Sequence, residues 1–157
     1  MITSINNANL PDVKREMSRM LQESTSDPTV RKLAESIIEG ANTDQISAIY
    51  EFVKDNYGYL PDPYDKELFI HPRKFAQDYF DDISRRGDCD DQSLLVASLL
   101  SSIGYKVRIA LLNTAGVEFD HAVAQVWVEE LGWVNLDTTS KRPQGWLIDF
   151  QEAVYVA

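Results

Sequence analysis

Apolar residues recur at helical spacing through the first half of the chain. This pattern predicts four amphipathic helices, each with one apolar side that faces a core. The predicted helices cover residues 12–22, residues 28–39 between Asp27 and Gly40, a segment that Thr43 caps, and residues 72–85. The stretch NYGYLPDPYDKELFI, residues 56–70, contains two prolines and a glycine. It predicts an ordered loop with short extended pieces.

A fifth helix is predicted in RRGDCDDQSLLVASLLSSIG, residues 85–104. From Leu94 to Ile103 the sequence is almost entirely apolar or small, so the helix has little room for an exposed side. We therefore expect it to be the central buried helix, with Gly104 as its C-terminal stop.

After Gly104 the period of the apolar pattern changes from 3.6 to 2. YKVRIALL, FDHAVAQVWV and WVNLDTT predict three strands, and AVYVA at the C-terminus predicts a further one. Helices first and strands afterwards are typical of an α+β fold. The expected architecture is an antiparallel sheet packed against the central helix.

Size, composition and charge narrow the class of protein. The chain has 157 residues, 44% of them hydrophobic, which suits a single domain over residues 1–157. The first residues have neither a basic start nor an apolar stretch, and no apolar run is long enough to span a membrane. We expect a cytoplasmic protein, or a virion-associated one if a phage encodes it. The net charge of −10 argues against nucleic-acid binding.

Three residues occur in an order that suits a thiol nucleophile: Cys89, His121 and Asp137. A thiol with an ordinary pKa of roughly 8.5 is mostly protonated at neutral pH, and a helix N-terminus favours its anion. His121 would take the thiol proton, and Asp137 would hold the imidazole in one tautomer. Taken singly, each residue also has a structural explanation: an inert thiol, a satisfied polar residue in a strand, and a strand-end aspartate.

The connection between the two strands that carry His121 and Asp137 provides a geometric test. Because side chains alternate between the faces of a sheet, a two- or four-residue loop would place these two residues on opposite faces. We predict an odd connection centred near Glu130, or a bulge at Gly132, which brings them to the same face.

The single cysteine is surrounded by aspartates. Asp88 is a natural N-cap, and negative charge at Asp90 and Asp91 complements the helix dipole. We expect the side chains of Asp90 and Asp91 to point away from the sulfur, with Arg85 and Arg86 as surface partners.

We predict no cofactor and no metal. One cysteine and two histidines fall short of the usual structural zinc set, and DCDD lacks the spacing of a calcium loop. Zinc held by Cys89, His121 and a carboxylate is the less favoured alternative.

The segments GDCDDQSLLVASLLSSIGYKVRIALL, FDHAVAQVWVEELGWVNLDTTS and the GW of RPQGW resemble the transglutaminase-like superfamily, which shares a papain-like core. YGYLPDPYDKELFIHPRKFAQD is similar to its compact bacterial and phage-borne branch. The resemblance covers roughly residues 46 to 146. It divides the chain into a helical extension, residues 1–42, and a catalytic core, residues 43–157.

The resemblance implies Cys89 as nucleophile, His121 as base and Asp137 as the orienting carboxylate. The Cys89 N–H, with Tyr59 or Tyr57, would stabilise the oxyanion, and Trp133 would line the substrate groove. The implied chemistry is acyl transfer from an amide of a protein or peptide substrate through a thioester. We favour a peptidase or amidase, because hydrolysis is the default unless a site excludes water. A cross-linking transglutaminase, a non-catalytic binding or phage assembly protein and a regulatory domain stay open as alternatives, as does the oligomeric state.

Overall fold

The predicted α+β architecture is confirmed by the computed structural model, which describes residues 2–6, 9–63 and 66–157. The helices are α1 (Leu10–Thr25), α2 (Pro28–Glu39), α3 (Gln45–Asn56), α4 (Pro72–Phe80) and α5 (Cys89–Ser102). The strands are β1 (Ile2–Asn6), β2 (Tyr57–Tyr59), β3 (Lys66–Ile70), β4 (Arg85–Gly87), β5 (Val107–Asn113), β6 (His121–Val128), β7 (Gly132–Leu136) and β8 (Glu152–Val156). None of the described helices has the length and apolar character needed to cross a bilayer.

Helix α5 lies at the centre of the fold, as predicted. Its Leu94, Leu95, Leu99 and Leu100 are fully buried, and α1, α2, α3 and strand β6 all pack against it. A helix that is apolar on every side is stable only when other elements cover it all round. Gly104 follows the helix with a φ of 101°, a conformation that glycine adopts without strain.

Two helix boundaries differ from the prediction. Asp44 and not Thr43 caps α3, because its carboxylate accepts from the Ser47 N–H at 2.9 Å. Helix α4 ends at Phe80, five residues earlier than expected, and Asp82 then adopts a φ of 58°. The chain thereby turns back, and β4 pairs in parallel with β2.

Strands β5 to β8 form one antiparallel sheet in the order β7-β6-β5-β8. Ile109, Leu111, Ala124 and Val126 belong to the main core with α5. On the other face, a smaller cluster centred on Val123 packs against Leu147 and Ile148.

The hairpin between β6 and β7 confirms the predicted odd connection. Val128 pairs with Gly132, so the loop has the three residues 129–131, and Gly132 has a φ of 77°. Ala124 pairs with Leu136 in this register. His121 and Asp137 each lie an odd number of residues from that pair, so both side chains project to the same face.

Two small sheets flank the start of α5: the parallel pair β2–β4 and the antiparallel pair β1–β3. The sequence indicated short extended pieces in residues 56–70, of which Tyr64 and Asp65 lie outside the described residues. It did not predict β1 or its pairing.

Helices α1 and α2 contribute to the same core as α5. Met17 and Met20 from α1 and Val30 and Leu33 from α2 are buried and pack in one cluster with the leucines of α5. The helices of the first forty residues therefore cover one side of the central helix.

Candidate active site

The N-terminus of α5 is fixed by reciprocal hydrogen bonds. Asp88 is the N-cap, and its Oδ1 accepts from the backbone N–H groups of Asp90 at 3.0 Å and Asp91 at 3.2 Å. The Asp91 carboxylate accepts in turn from the Asp88 N–H at 3.1 Å. This capping box places Cys89 in the first turn, where free backbone N–H groups and the helix dipole favour an anion.

Asp91 also ties α5 to β3. Its side chain is only 2% exposed, and its Oδ1 accepts from the Ile70 N–H at 2.8 Å. Gly87 makes room for it, since a Cβ there would lie 2.6 Å from Asp91 Oδ2. The expectation of surface partners for these aspartates is wrong for Arg85, which forms its ion pair with Asp78 on α4.

His121 and Asp137 are hydrogen-bonded to each other, with 2.7 Å between Nε2 and Oδ2. The other oxygen of Asp137 accepts from the backbone N–H and the hydroxyl of Thr139 at 3.0 and 2.8 Å. Burial raises the pKa of Asp137, but the bonds from His121 and Thr139 outweigh it, and the pKa lies below its ordinary value. An ionised Asp137 can only accept a hydrogen bond, so the proton of the neutral imidazole is assigned to Nε2. Nδ1 then has no proton and is available as the base.

Cys89 and His121 line the same cavity, which has a volume of about 560 Å³. The backbone N–H of Ala122, the residue after His121, faces the sulfur and lowers the thiol pKa. Burial, together with the carboxylates of Asp90 and Asp88, outweighs it, so the pKa of Cys89 lies well above its ordinary value. The described hydrogen bonds do not include one between the sulfur and the imidazole. A raised pKa favours the thiol over the thiolate.

Of the three aromatic residues expected in the groove, the structure brings one to this cavity. Tyr59 lines it and is 57% exposed. Tyr57 is buried with its ring stacked on Phe75 at 4.6 Å, and its hydroxyl has no partner among the described residues. Trp133 packs edge-to-face on Trp127 and lines a separate depression on the surface.

Asp62 and Glu67, which the sequence analysis did not single out, also line the cavity. One carboxylate oxygen from each lies within 4.8 Å of a carboxylate oxygen of Asp88. These residues come from the segment before α4, more than twenty positions from Cys89, and no local pattern connects them to the helix.

The sequence analysis also missed a buried link between the cysteine helix and the strand end that carries Asp137. Gln92, one turn after Cys89, is 2% exposed, and its Oε1 accepts from the Thr138 hydroxyl at 2.8 Å. Its amide nitrogen faces the Gly87 carbonyl at 3.4 Å. Gln92, a polar residue just before the apolar run of α5, was the signal for this contact.

Comparison with known proteins supports the α+β fold described above. The model of the transglutaminase-like superfamily matches residues 31–138. A candidate cysteine protease from Cytophaga hutchinsonii superimposes with a TM-score of 0.55 at 15% identity, over 88% of this chain and 49% of its own. A candidate protease from Parabacteroides distasonis gives a TM-score of 0.54 at 10% identity, over 83% of this chain and 27% of its own. The chain therefore spans half or less of these solved structures. No curated protein matches it in sequence.

Proposed function

The chain belongs to the transglutaminase-like superfamily, and on this premise we propose that it is a cysteine-dependent acyl-transfer enzyme that hydrolyses amide bonds in peptides or proteins. The observation that carries the proposal is the His121–Asp137 hydrogen bond at the cavity that Cys89 also lines. A nucleophile, a base and a group that orients the base are the minimum set for this chemistry.

In the proposed first step, Nδ1 of His121 takes the thiol proton while the sulfur attacks the amide carbonyl. The resulting imidazolium, which Asp137 stabilises, then protonates the leaving amine as the C–N bond breaks and a thioester remains. In the second step His121 removes a proton from water, the hydroxide attacks the thioester, and Cys89 leaves as a thiol with the proton that His121 returns.

The raised thiol pKa favours proton transfer during attack over a thiolate–imidazolium pair that exists beforehand. A sulfur–imidazole contact that forms only with bound substrate is consistent with this, because catalytic hydrogen bonds are often longer in free enzymes. The proposed donors to the oxyanion are the Cys89 N–H and the Tyr59 hydroxyl. Burial and the nearby Cys89 raise the pKa of Tyr59, which keeps its proton available for donation.

One observation favours a second candidate function, a non-catalytic binding or assembly protein that retains the fold. The high pKa of Cys89 and the lack of a described bond between its sulfur and His121 would suit an inert thiol.

The two functions differ in whether Cys89 forms a covalent intermediate. Purified protein is incubated with a panel of unstructured peptides, glutamine-containing ones included, and acid-quenched samples are examined by mass spectrometry. We expect cleavage or ammonia release together with an acyl group on Cys89.

Cys89→Ala should abolish turnover, and His121→Ala should reduce it roughly 10³-fold or more. Ser98→Ala is the matched control, since its hydroxyl is buried in the same helix without a partner among the described residues. If no acyl-enzyme forms and no peptide of the panel is turned over above the Cys89→Ala background, the result favours the binding protein.

A further inference from the structure

The cavity beside Cys89 is strongly acidic on one side. Among the described residues that line it, His121 alone can carry a positive charge. Six lining residues carry carboxylates: Asp62, Glu67, Asp88, Asp90, Glu118 and Asp120.

The carboxyl groups nearest Cys89 contact one another instead of a cation. The side chain of Asp62 is within hydrogen-bonding reach of Asp88, and that of Glu67 is within reach of Asp90. Two carboxyl groups can share a hydrogen bond only if one of them holds a proton. Burial, with Asp91 and Asp62 as neighbours, accordingly raises the pKa of Asp88 to about 9. A bound cation would replace these protons.

The rest of the cavity wall has a different character. Leu10 and Val13 from α1 and Leu111 from β5 provide an apolar lining, and Pro61 and Phe119 complete it. A metal ion would use the carboxylates but not this apolar surface, and about 560 Å³ far exceeds the volume of one ion. A long aliphatic stem that ends in a cationic group fits both parts of the wall.

We propose that this cavity binds a lysine or arginine side chain of the peptide that donates the acyl group, close to the scissile amide. This rests on the proposed function, because it is the position of Cys89 in the same cavity that makes the bound peptide a substrate. Asp88 and Asp90 immediately flank Cys89 in the sequence, so the cationic head would lie within a few residues of the bond under attack.

Binding of such a side chain would also assist the nucleophile. Burial raises the thiol pKa most, and Asp90, Asp88 and Asp137 raise it further, whereas the Ala122 N–H lowers it; His121 lines the same cavity. A cation bound among the carboxylates would offset the effect of Asp90 and Asp88 on the thiol pKa. A basic substrate would thereby make proton transfer from sulfur to His121 easier than a neutral substrate of the same shape.

The first test is turnover of matched peptides that differ in one residue at the scissile bond: lysine, arginine, norleucine, citrulline or glutamate. We expect kcat/KM to be roughly 10- to 100-fold higher for lysine and arginine than for norleucine and citrulline, and lowest for glutamate. Asp62→Asn and Glu67→Gln should each reduce the preference for the cationic residue. Asp55→Asn, on the exposed side of α3, is the matched control that should leave it unchanged.

Equal kcat/KM for lysine and citrulline peptides would overturn the inference while leaving the proposed function intact. A cationic amine that becomes incorporated into the product would overturn it too, since the cavity would then serve the acyl acceptor. A preference that Asp62→Asn and Glu67→Gln do not change would mean that other groups select the cation.

A binding measurement separates the inference from catalysis. Calorimetry of Cys89→Ala with the lysine peptide and with its norleucine counterpart needs no turnover. Tighter binding of the lysine peptide, weakened by Asp62→Asn, supports the cation subsite even if the wild-type protein cleaves nothing, in which case only the proposed function fails. Equal binding of the two peptides, or saturable binding of Ca²⁺ alone at the same carboxylates, contradicts it.

Discussion

Among the described residues, the imidazole of His121 is hydrogen-bonded on one side, at Nε2. Asp137 occupies Nε2, and Thr139 in turn fixes the carboxylate, so the ring direction depends on a single acceptor oxygen. Asp137→Asn keeps the size of that group but presents an amide NH₂ or a weaker acceptor to the ring. We expect kcat to fall roughly 10²- to 10⁴-fold with KM little changed, since the Asp137 side chain is only 4% exposed and does not line the cavity among the described residues.

Steady-state kinetics over pH 5 to 9 measure this loss. The thermal midpoint of unfolding is measured at the same pH values, in order to separate a loss of orientation from a loss of folding. At every pH where the midpoint of the variant stays close to that of the wild type, we still expect the lower rate. A rate within about threefold of wild type would mean that Asp137 does not orient the base.

The carboxyl groups at the start of α5 make stability depend on pH. Burial and neighbouring carboxylates raise the pKa of Asp88 to about 9 and that of Asp91 to about 7. A carboxyl group with a raised pKa binds its proton more tightly in the folded state. Its contribution is complete below the unfolded pKa of roughly 4 and is lost as the pH rises through the folded value.

Asp62→Asn tests this linkage, because the Asp62 charge raises the pKa of both aspartates. The variant should be more stable than wild type at pH 9 by about 1 kcal/mol and equal to it near pH 4. Urea unfolding at pH 4, 7 and 9 gives the two curves. A difference that is the same at all three pH values would contradict the linkage.

Contacts between elements hold the parts of the site together. The Gln92–Thr138 hydrogen bond joins α5 to the chain directly after Asp137, and the Tyr50 hydroxyl on α3 donates to the Asp137 carbonyl at 3.4 Å. Thr138→Val keeps the shape but leaves the Gln92 oxygen without its partner, which costs about 1–3 kcal/mol for a buried group.

We therefore expect Thr138→Val to lower both the free energy of unfolding and kcat, whereas Thr138→Ser, which keeps the hydroxyl, restores most of both. Chemical denaturation and turnover are measured on the same preparations. If Thr138→Val lowers stability but not kcat, the bond supports the fold without positioning Asp137.

Prediction from the sequence succeeded where a local pattern carried the information. The unbroken apolar run from Leu94 identified α5, and the two-residue period with Gly132 identified the odd hairpin that aligns His121 with Asp137. Strand β1 was missed because its residues pair with residues 60 to 68 positions further along the chain. The acidic side of the cavity was missed for the same reason: Asp62 and Glu67 lie more than twenty positions before Asp88, yet their carboxylates are close to it.

Tyr57 and Tyr59 illustrate the same limit. They have the same parity in one short strand, so the sequence gives no ground for choosing between them. Packing decides it, because the Tyr57 ring stacks on Phe75 in the core, whereas Tyr59, which pairs with Gly87 at the end of β2, lines the cavity.

The helices of the first forty residues belong to the same core as α5. The sequence analysis treated residues 1–42 as an extension beyond the catalytic core, yet Met17, Met20 and Leu33 are buried against the leucines of α5. Leu10 and Val13 also line the cavity beside Cys89. Loss of α1 and α2 would expose one side of a helix that is apolar all round.

We predict that a chain beginning at residue 43 loses cooperative unfolding as well as activity. Met17→Ala in the full chain removes only one of the core side chains of α1. It should lower the free energy of unfolding by about 2–5 kcal/mol, the range for truncating a fully buried methionine. Far-UV circular dichroism during thermal unfolding measures both, with the exposed Arg15→Ala as the control on the same helix. A fragment that keeps a sharp transition and its turnover would show that residues 43–157 fold on their own. In that case α1 contributes only its cavity-lining side chains, and the preference for basic peptides should change while hydrolysis continues.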